Sequence, residues 1–228
     1  IWIGGNQTNN KGQVSHWNGS QWTSSKNLGR WDQSMNSMFH ISADSVLVAG
    51  SNGRIGRWNG TFWSRVKTGG GVLNAIHGSN SKNIWAVAGN NTIYKSKNGG
   101  ATWIELQPLP TLPNGNVPRP QAVHTLDVNK TWLAGNRQWE AAFWNGENYT
   151  LQRLDTRAGG LNGIHAVAMD NVWAVGEDGR IFHNDGTEWS EVMHGLTTNN
   201  LNAISANTNG ALWVVGDNGT ILTTARDP

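Results

Sequence analysis

Residues 161–192 read LNGIHAVAMDNVWAVGEDGRIFHNDGTEWSEV, and residues 201–223 read LNAISANTNGALWVVGDNGTILT. Leu161-Asn162 returns as Leu201-Asn202, Trp173 as Trp213 and Gly176 as Gly216, a period of about 40 residues that points to a propeller or solenoid. Looser copies begin at Met35, Leu73 and Gln121, and the glycine closing the WAVG element recurs at Gly5, Gly50, Gly89, Gly135, Gly176 and Gly216. Within each copy, apolar and polar residues alternate in runs too short for an amphipathic helix. Asp178-Gly179 and Asp185-Gly186 tolerate the positive φ angles of tight hairpin turns. Four strands per copy, with no helix between copies, predict an all-β fold: a β-propeller of four-stranded antiparallel blades.

The chain opens in a second-strand slot, IWIGG, and ends in a third, GTILTT. Five first, six second, six third and five fourth strands follow from that frame. Six blades with the first and last incomplete is the favoured reading; five blades with redundant ends, or a stretch of a longer chain, are the alternatives. One domain is expected over residues 1–228, because the repeat runs almost throughout.

Composition excludes several functions. No cysteine is present, so neither a disulfide framework nor a thiolate site is available. The formal charge is only +2, with scattered Lys and Arg, which argues against a nucleic-acid partner. Apolar runs are strand-sized, so membrane insertion is not expected, and no signal peptide stands in the chain. The abundance of Gly, 29 residues, reflects repeated turns. Of 14 Trp, twelve fall in recurrent slots: Trp2, Trp85, Trp132, Trp173 and Trp213 in second strands, Trp17, Trp58 and Trp144 ending third strands, and Trp22, Trp63, Trp103 and Trp189 in fourth strands. Tyr149 takes the fourth-strand slot of its own copy. These aromatics are expected to pack between blades.

The stretch SKNGGATW, Ser96 to Trp103, resembles the Asp-box of bacterial-neuraminidase-type repeats, with Asn98 in place of the aspartate. The copies at Leu161 and Leu201 are similar to the repeats of photosystem II assembly-factor-like propellers and of bacterial secreted, lectin-like propellers. This resemblance covers nearly the whole chain. It implies a propeller, a turn-stabilising role for the Asp-box, and a secreted, periplasmic or cell-surface setting; it leaves function open, since sialidases, lectins and assembly factors share such blades. A sialidase would need three convergent arginines, a tyrosine nucleophile with its glutamate, and an acid/base aspartate. Only Tyr94 and Tyr149 exist, and Tyr149 fills a structural slot, so no catalytic residue is assigned. A glycosidase pair of carboxylates flanking a cleft ranks lower still, because Asp178, Asp185 and Asp217 lie in turns.

One first-strand slot holds Phe39, His77, His124, His165 and Ser205 in successive copies. A slot accepting Phe and Ser reads as a packing seat rather than a metal site, and no cofactor is expected. His40 is offset by one residue and should point the other way. Departures from the repeat are more informative. Trp31 and Trp139 lie outside every recurrent slot, in a fourth-to-first link and a second-to-third connection, which emerge on the same face of a propeller. The Pro-rich insertion 107–120 is another fourth-to-first link, either a semi-rigid binding loop or a tolerated excursion. Trp31 and Trp139 offer flat apolar platforms, while Arg30, Asp32, Arg119, Arg137, Gln138 and Glu140 supply donors and acceptors around them. Trp and Arg also anchor protein interfaces. The chain is thus expected to be a non-catalytic binding propeller recognising a glycan or a protein through this face, with an assembly or scaffold factor as the alternative.

Overall fold

A computed structural model describes residues 1–6, 12–25, 34–135, 140–155, 157, 159–193 and 195–224. They form six antiparallel sheets, the blades of an all-β propeller. The first is three-stranded: β1 (Trp2–Asn6), β2 (Gly12–Trp17) and β3 (Trp22–Ser25). The second comprises β4 (Met35–Ser42), β5 (Ser45–Gly50), β6 (Arg54–Trp58) and β7 (Trp63–Lys67). The third comprises β8 (Leu73–Asn80), β9 (Asn83–Ala88), β10 (Thr92–Ser96) and β11 (Ile104–Leu106). Next come β12 (Pro120–Asp127), β13 (Lys130–Gly135), β14 (Glu140–Trp144) and β15 (Tyr149–Arg153), then β16 (Leu161–Ala168), β17 (Asn171–Gly176), β18 (Ile181–Asn184) and β19 (Trp189–Val192). The last sheet is again three-stranded: β20 (Leu201–Ala206), β21 (Leu212–Gly216) and β22 (Ile221–Thr223). Among the described residues the first sheet has no first strand and the last no fourth, as the sequence frame expects. Two compact units divide the blades, residues 1–108 with three and residues 109–228 with three.

Within each unit, consecutive sheets stack through an apolar joint. In the 109–228 unit, Trp132, Ala134 and Ala141 on the forward face of one sheet meet Leu161, Ile164, Val172 and Ala174 on the rear face of the next. Val175 and Ile181 then meet Leu201 and Val214. The 1–108 unit repeats the arrangement, with Leu47, Ala49 and Ile55 against Leu73, Ile76, Ile84 and Ala86. A hydrogen bond accompanies two of these joints: the Asn36 amide donates to the Leu73 carbonyl at 2.9 Å, and that of Asn162 to Leu201 at 3.0 Å. At these two joints the Asn ties one first strand to the next.

The recurrent glycine has a steric cause. Its φ at Gly50, Gly176 and Gly216 is extended, −159°, −162° and −151°, which any residue adopts. A Cβ at Gly50 would lie 2.2 Å from the Ser34 carbonyl oxygen, and one at Gly216 would lie 2.3 Å from that of Asn200. At these two positions the entering link passes too close for any side chain, whereas at Gly135 a Cβ would stand 3.5 Å from the Arg119 carbonyl oxygen. Register corrects one sequence alignment: Leu73 pairs Ala88 as Leu161 pairs Gly176, so Ala88, not Gly89, holds the slot in the third sheet.

Packing of the tryptophans is less uniform than the repeat suggests. Trp85 and Trp132 are buried, and Trp189 donates to Gln152 of the preceding sheet at 2.8 Å and meets Trp132 edge-on. Trp22 and Trp213 are exposed instead. Both belong to the incomplete terminal sheets, where fewer neighbours are available. At Ser96 to Trp103, Asn98 accepts from the Thr102 backbone at 2.9 Å, Ser96 accepts from the Gly100 backbone, and the Trp103 indole donates to the Gly100 carbonyl. The stretch is a hydrogen-bonded turn.

Equivalent positions should respond unequally to one change. Ile181→Ala, at a side chain 1% exposed, is expected to cost about 2–4 kcal/mol in denaturant unfolding. Ile221→Ala, at the corresponding position 64% exposed, should stay within about 0.5 kcal/mol.

Candidate functional site

Six of the sequence-assigned site residues, Arg30, Trp31, Asp32, Arg137, Gln138 and Trp139, lie outside the described residues. Arg119 and Glu140 are described, both in the 109–228 unit. Arg119 is exposed at the end of the Pro-rich link, which Leu109 and Leu112 anchor by burial and which turns through Leu112, Gly115 and Asn116 backbone hydrogen bonds. Glu140 is turned inward, 3% exposed, rather than displayed on the surface. Strand pairing sets Pro120, Gly135, Glu140 and Arg153 in one row across the sheet, at the end where second strands pass to third and fourth strands to the next first. With neighbouring strands roughly 4.8 Å apart, Pro120 and Arg153 stand about 14 Å apart across the blade.

The link that follows Arg153 carries a charged cluster that the sequence reading missed. Asp155, its side chain 7% exposed, accepts from Arg180 at 2.8 Å and from Arg157. Glu191 accepts from Arg180 at 3.0 Å and from Arg157 at 2.6 Å. Arg153 donates to the Asp155 carbonyl at 2.7 Å. Two carboxylates thus hold two guanidiniums in a closed ring of charge-assisted hydrogen bonds, a geometry for which the planar, multi-donor Arg fork is suited. Arg180 immediately precedes β18, at the end of the second-to-third turn, and Glu191 sits in the paired fourth strand; the site is built where the link meets the following blade. Hydrogen bonding to Asp155, with Glu191 nearby, raises the Arg157 pKa, so this guanidinium is a permanent, surface-facing cation. These residues occupy ordinary repeat and link positions and do not stand out as departures from the repeat. The only signal was the density of charge in RLDTR, residues 153–157.

At the first-strand slot, His124 and His165 meet edge-to-face with ring centroids 4.2 Å apart, and Phe39 and His77 meet at 5.3 Å. No group of three or more metal-ligating side chains occurs among the described residues. Burial lowers the His165 pKa, opposed by its hydrogen bond to the Ala206 backbone. His40 pairs with Val46 while Phe39 pairs with Leu47, the offset read from the sequence. Burial also raises the Tyr149 phenol, which is unsuited to nucleophilic use. Asp185 is held down to about 2 by hydrogen bonds from the Thr187 hydroxyl and the Glu188 and Thr187 backbone, the work of a turn cap.

No family model matches the chain, and no curated protein matches it significantly. Among solved structures, one described as YCF48 bound to D1 peptide superposes with a TM-score of 0.63 at 16% identity, over 85% of this chain. The chain spans 64% of that structure's length, and the likeness is one of fold.

Two expectations test this geometry. A His whose folded pKa is lowered is protonated more readily in the unfolded chain, so stability should fall as pH drops below about 6.5. Thermal melts across that range should depend less on pH in His165→Phe, since Phe39 already fills the equivalent slot, with the remaining dependence left to His40 and His183, whose pKa values burial also lowers. Asp155→Ala, which removes a partner of the mostly buried Arg180, should destabilise by about 3 kcal/mol in urea.

Proposed function

We propose that this chain is a non-catalytic binding propeller that holds a polypeptide segment, rich in acidic side chains, on the link-bearing face of its 109–228 unit. The carrying observation is Arg157, surface-facing yet fixed by both Asp155 and Glu191. A cation already held in one rotamer loses little entropy on meeting a carboxylate. Arg153 and Arg119 extend the same rim, and both are exposed. Trp139, Arg137 and Gln138, of the same unit, belong to the proposal from the sequence, as aromatic anchor and polar surround. Likeness of fold to a propeller solved with a peptide supports the choice of a polypeptide. The surplus indoles motivate a glycan as the second ligand class.

Selection from a displayed random-peptide library tests the reading. Enriched peptides should carry Asp and Glu, bind more weakly as salt rises, and lose about tenfold in affinity to Arg157→Ala, with a similar loss for Arg153→Ala. A library that yields nothing, beside a glycan array that binds and goes blank in the Trp31→Ala, Trp139→Ala double variant, would transfer the function to sugar recognition.

A further inference from the structure

The link from β19 to β20, residues 193–200, carries two apolar side chains that the core does not take up. Met193 is 36% exposed and Leu196 56%. Met193 is also held at φ 55°, in the left-handed region. Among the described residues, the other non-glycine residues with positive φ are Asn52, Asn91, Asp178 and Asn218, whose short polar side chains suit that conformation. A methionine gains no local hydrogen bond there, and a left-handed residue of this kind is strain that the surrounding structure imposes. Strand register gives its place in the repeat: Val192 pairs with Ile181 as Gln152 pairs with Ala141 and Val66 with Ile55. Met193 thus holds the position of Arg153 in the preceding sheet and of Lys67 in the second. Where those sheets carry a cation, this one carries an exposed thioether.

Both side chains border the arginine cluster. Met193 stands two residues beyond Glu191, at most about 7 Å along the chain, and Glu191 accepts from Arg157 and Arg180. Leu196 precedes Thr197, whose carbonyl lies so close to Gly179 that no Cβ fits there, and Gly179 in turn precedes Arg180. The rest of the link is pinned: the Asn199 backbone donates to the Thr197 hydroxyl at 3.0 Å, and the Asp178 backbone donates to the Asn200 side chain at 3.3 Å. With the link seated this tightly, Leu196 stays at the surface. Given a polypeptide ligand on this face, as proposed above, we infer that Met193 and Leu196 determine its specificity. They receive a bulky apolar side chain that stands within about two residues of the carboxylate held by Arg157. Charge identifies the occupant: an apolar pair beside fixed cations complements a segment mixing acidic and apolar side chains. It is mismatched to a purely acidic one, whose carboxylates would lose water against the thioether. Methionine suits the task, because its unbranched, polarizable side chain adapts to apolar partners of different shape.

Fluorescence anisotropy with peptides taken from the displayed library reads the outcome. Each enriched acidic sequence should carry Leu, Ile, Met, Phe or Trp within about two positions of an Asp or Glu. Changing that residue to Ser should weaken binding about tenfold. Met193→Gly should weaken the apolar peptide by about the same factor and leave its salt dependence unchanged, while the urea midpoint does not fall, because glycine accepts φ 55° without strain. Leu196→Ser, at an exposed position, should weaken it likewise. Against the Ser-substituted peptide both variants should bind as the unchanged protein does, a coupling that only direct contact produces. Enriched acidic peptides with no apolar position, or an affinity that Met193→Gly and Leu196→Ser leave intact, would overturn this specificity and leave the acidic-ligand reading standing. A library that yields no acidic peptide, or binding indifferent to Arg157→Ala, would remove both.

Discussion

Each sheet in this protein is apolar on both faces, and that constraint organises nearly everything else. A single four-stranded sheet cannot bury two faces alone, so its forward face must be closed by the rear face of another. Val175 and Ile181 lie at zero or near-zero exposure only because Leu201 and Val214 press against them. The repeated LN pair and the repeated glycine serve the same joint. Asn162 ties one first strand to the next, and Gly216 lets the Asn200 carbonyl pass where a Cβ would collide.

The arginine rim is a product of that stacking. Asp155 arrives from the link leaving one blade, whereas Arg180 and Glu191 belong to the next, and their separations in sequence are wide. Only because the two blades are held in register do three segments bring four charges together. Partial burial matters here: Asp155 and Arg180 are withdrawn from water enough that their attraction is little screened, while Arg157 keeps a surface to offer. The lowered pKa of Asp185 and the raised pKa of Tyr149 fit turn capping and packing.

The first-strand slot shows how a chemically suggestive residue can be structural. His124 and His165 touch edge-to-face, Phe39 and His77 pack at a tilt, and the ring that occupies the slot matters more than its nitrogens. Burial in that slot lowers the His165 pKa.

By itself the sequence determined the blade, the number and order of strands, and the incomplete terminal sheets, because period-two alternation and turn residues are local properties that need no knowledge of neighbours. Even there a one-residue ambiguity, Gly89 against Ala88, needed the pairing of Leu73 to resolve. Of the candidate site, Arg119 was legible as an exposed member of a loop-bearing face, but Glu140 turned inward and the Asp155–Arg157–Arg180–Glu191 cluster was invisible. Residues in ordinary slots give no sign of their partners until separate blades pack. The tertiary structure alone decided which carboxylate meets which guanidinium, because Asp155 and Arg180, 25 residues apart, and Arg157 and Glu191, 34 apart, meet only when the link packs on the following blade, beyond the reach of any local pattern.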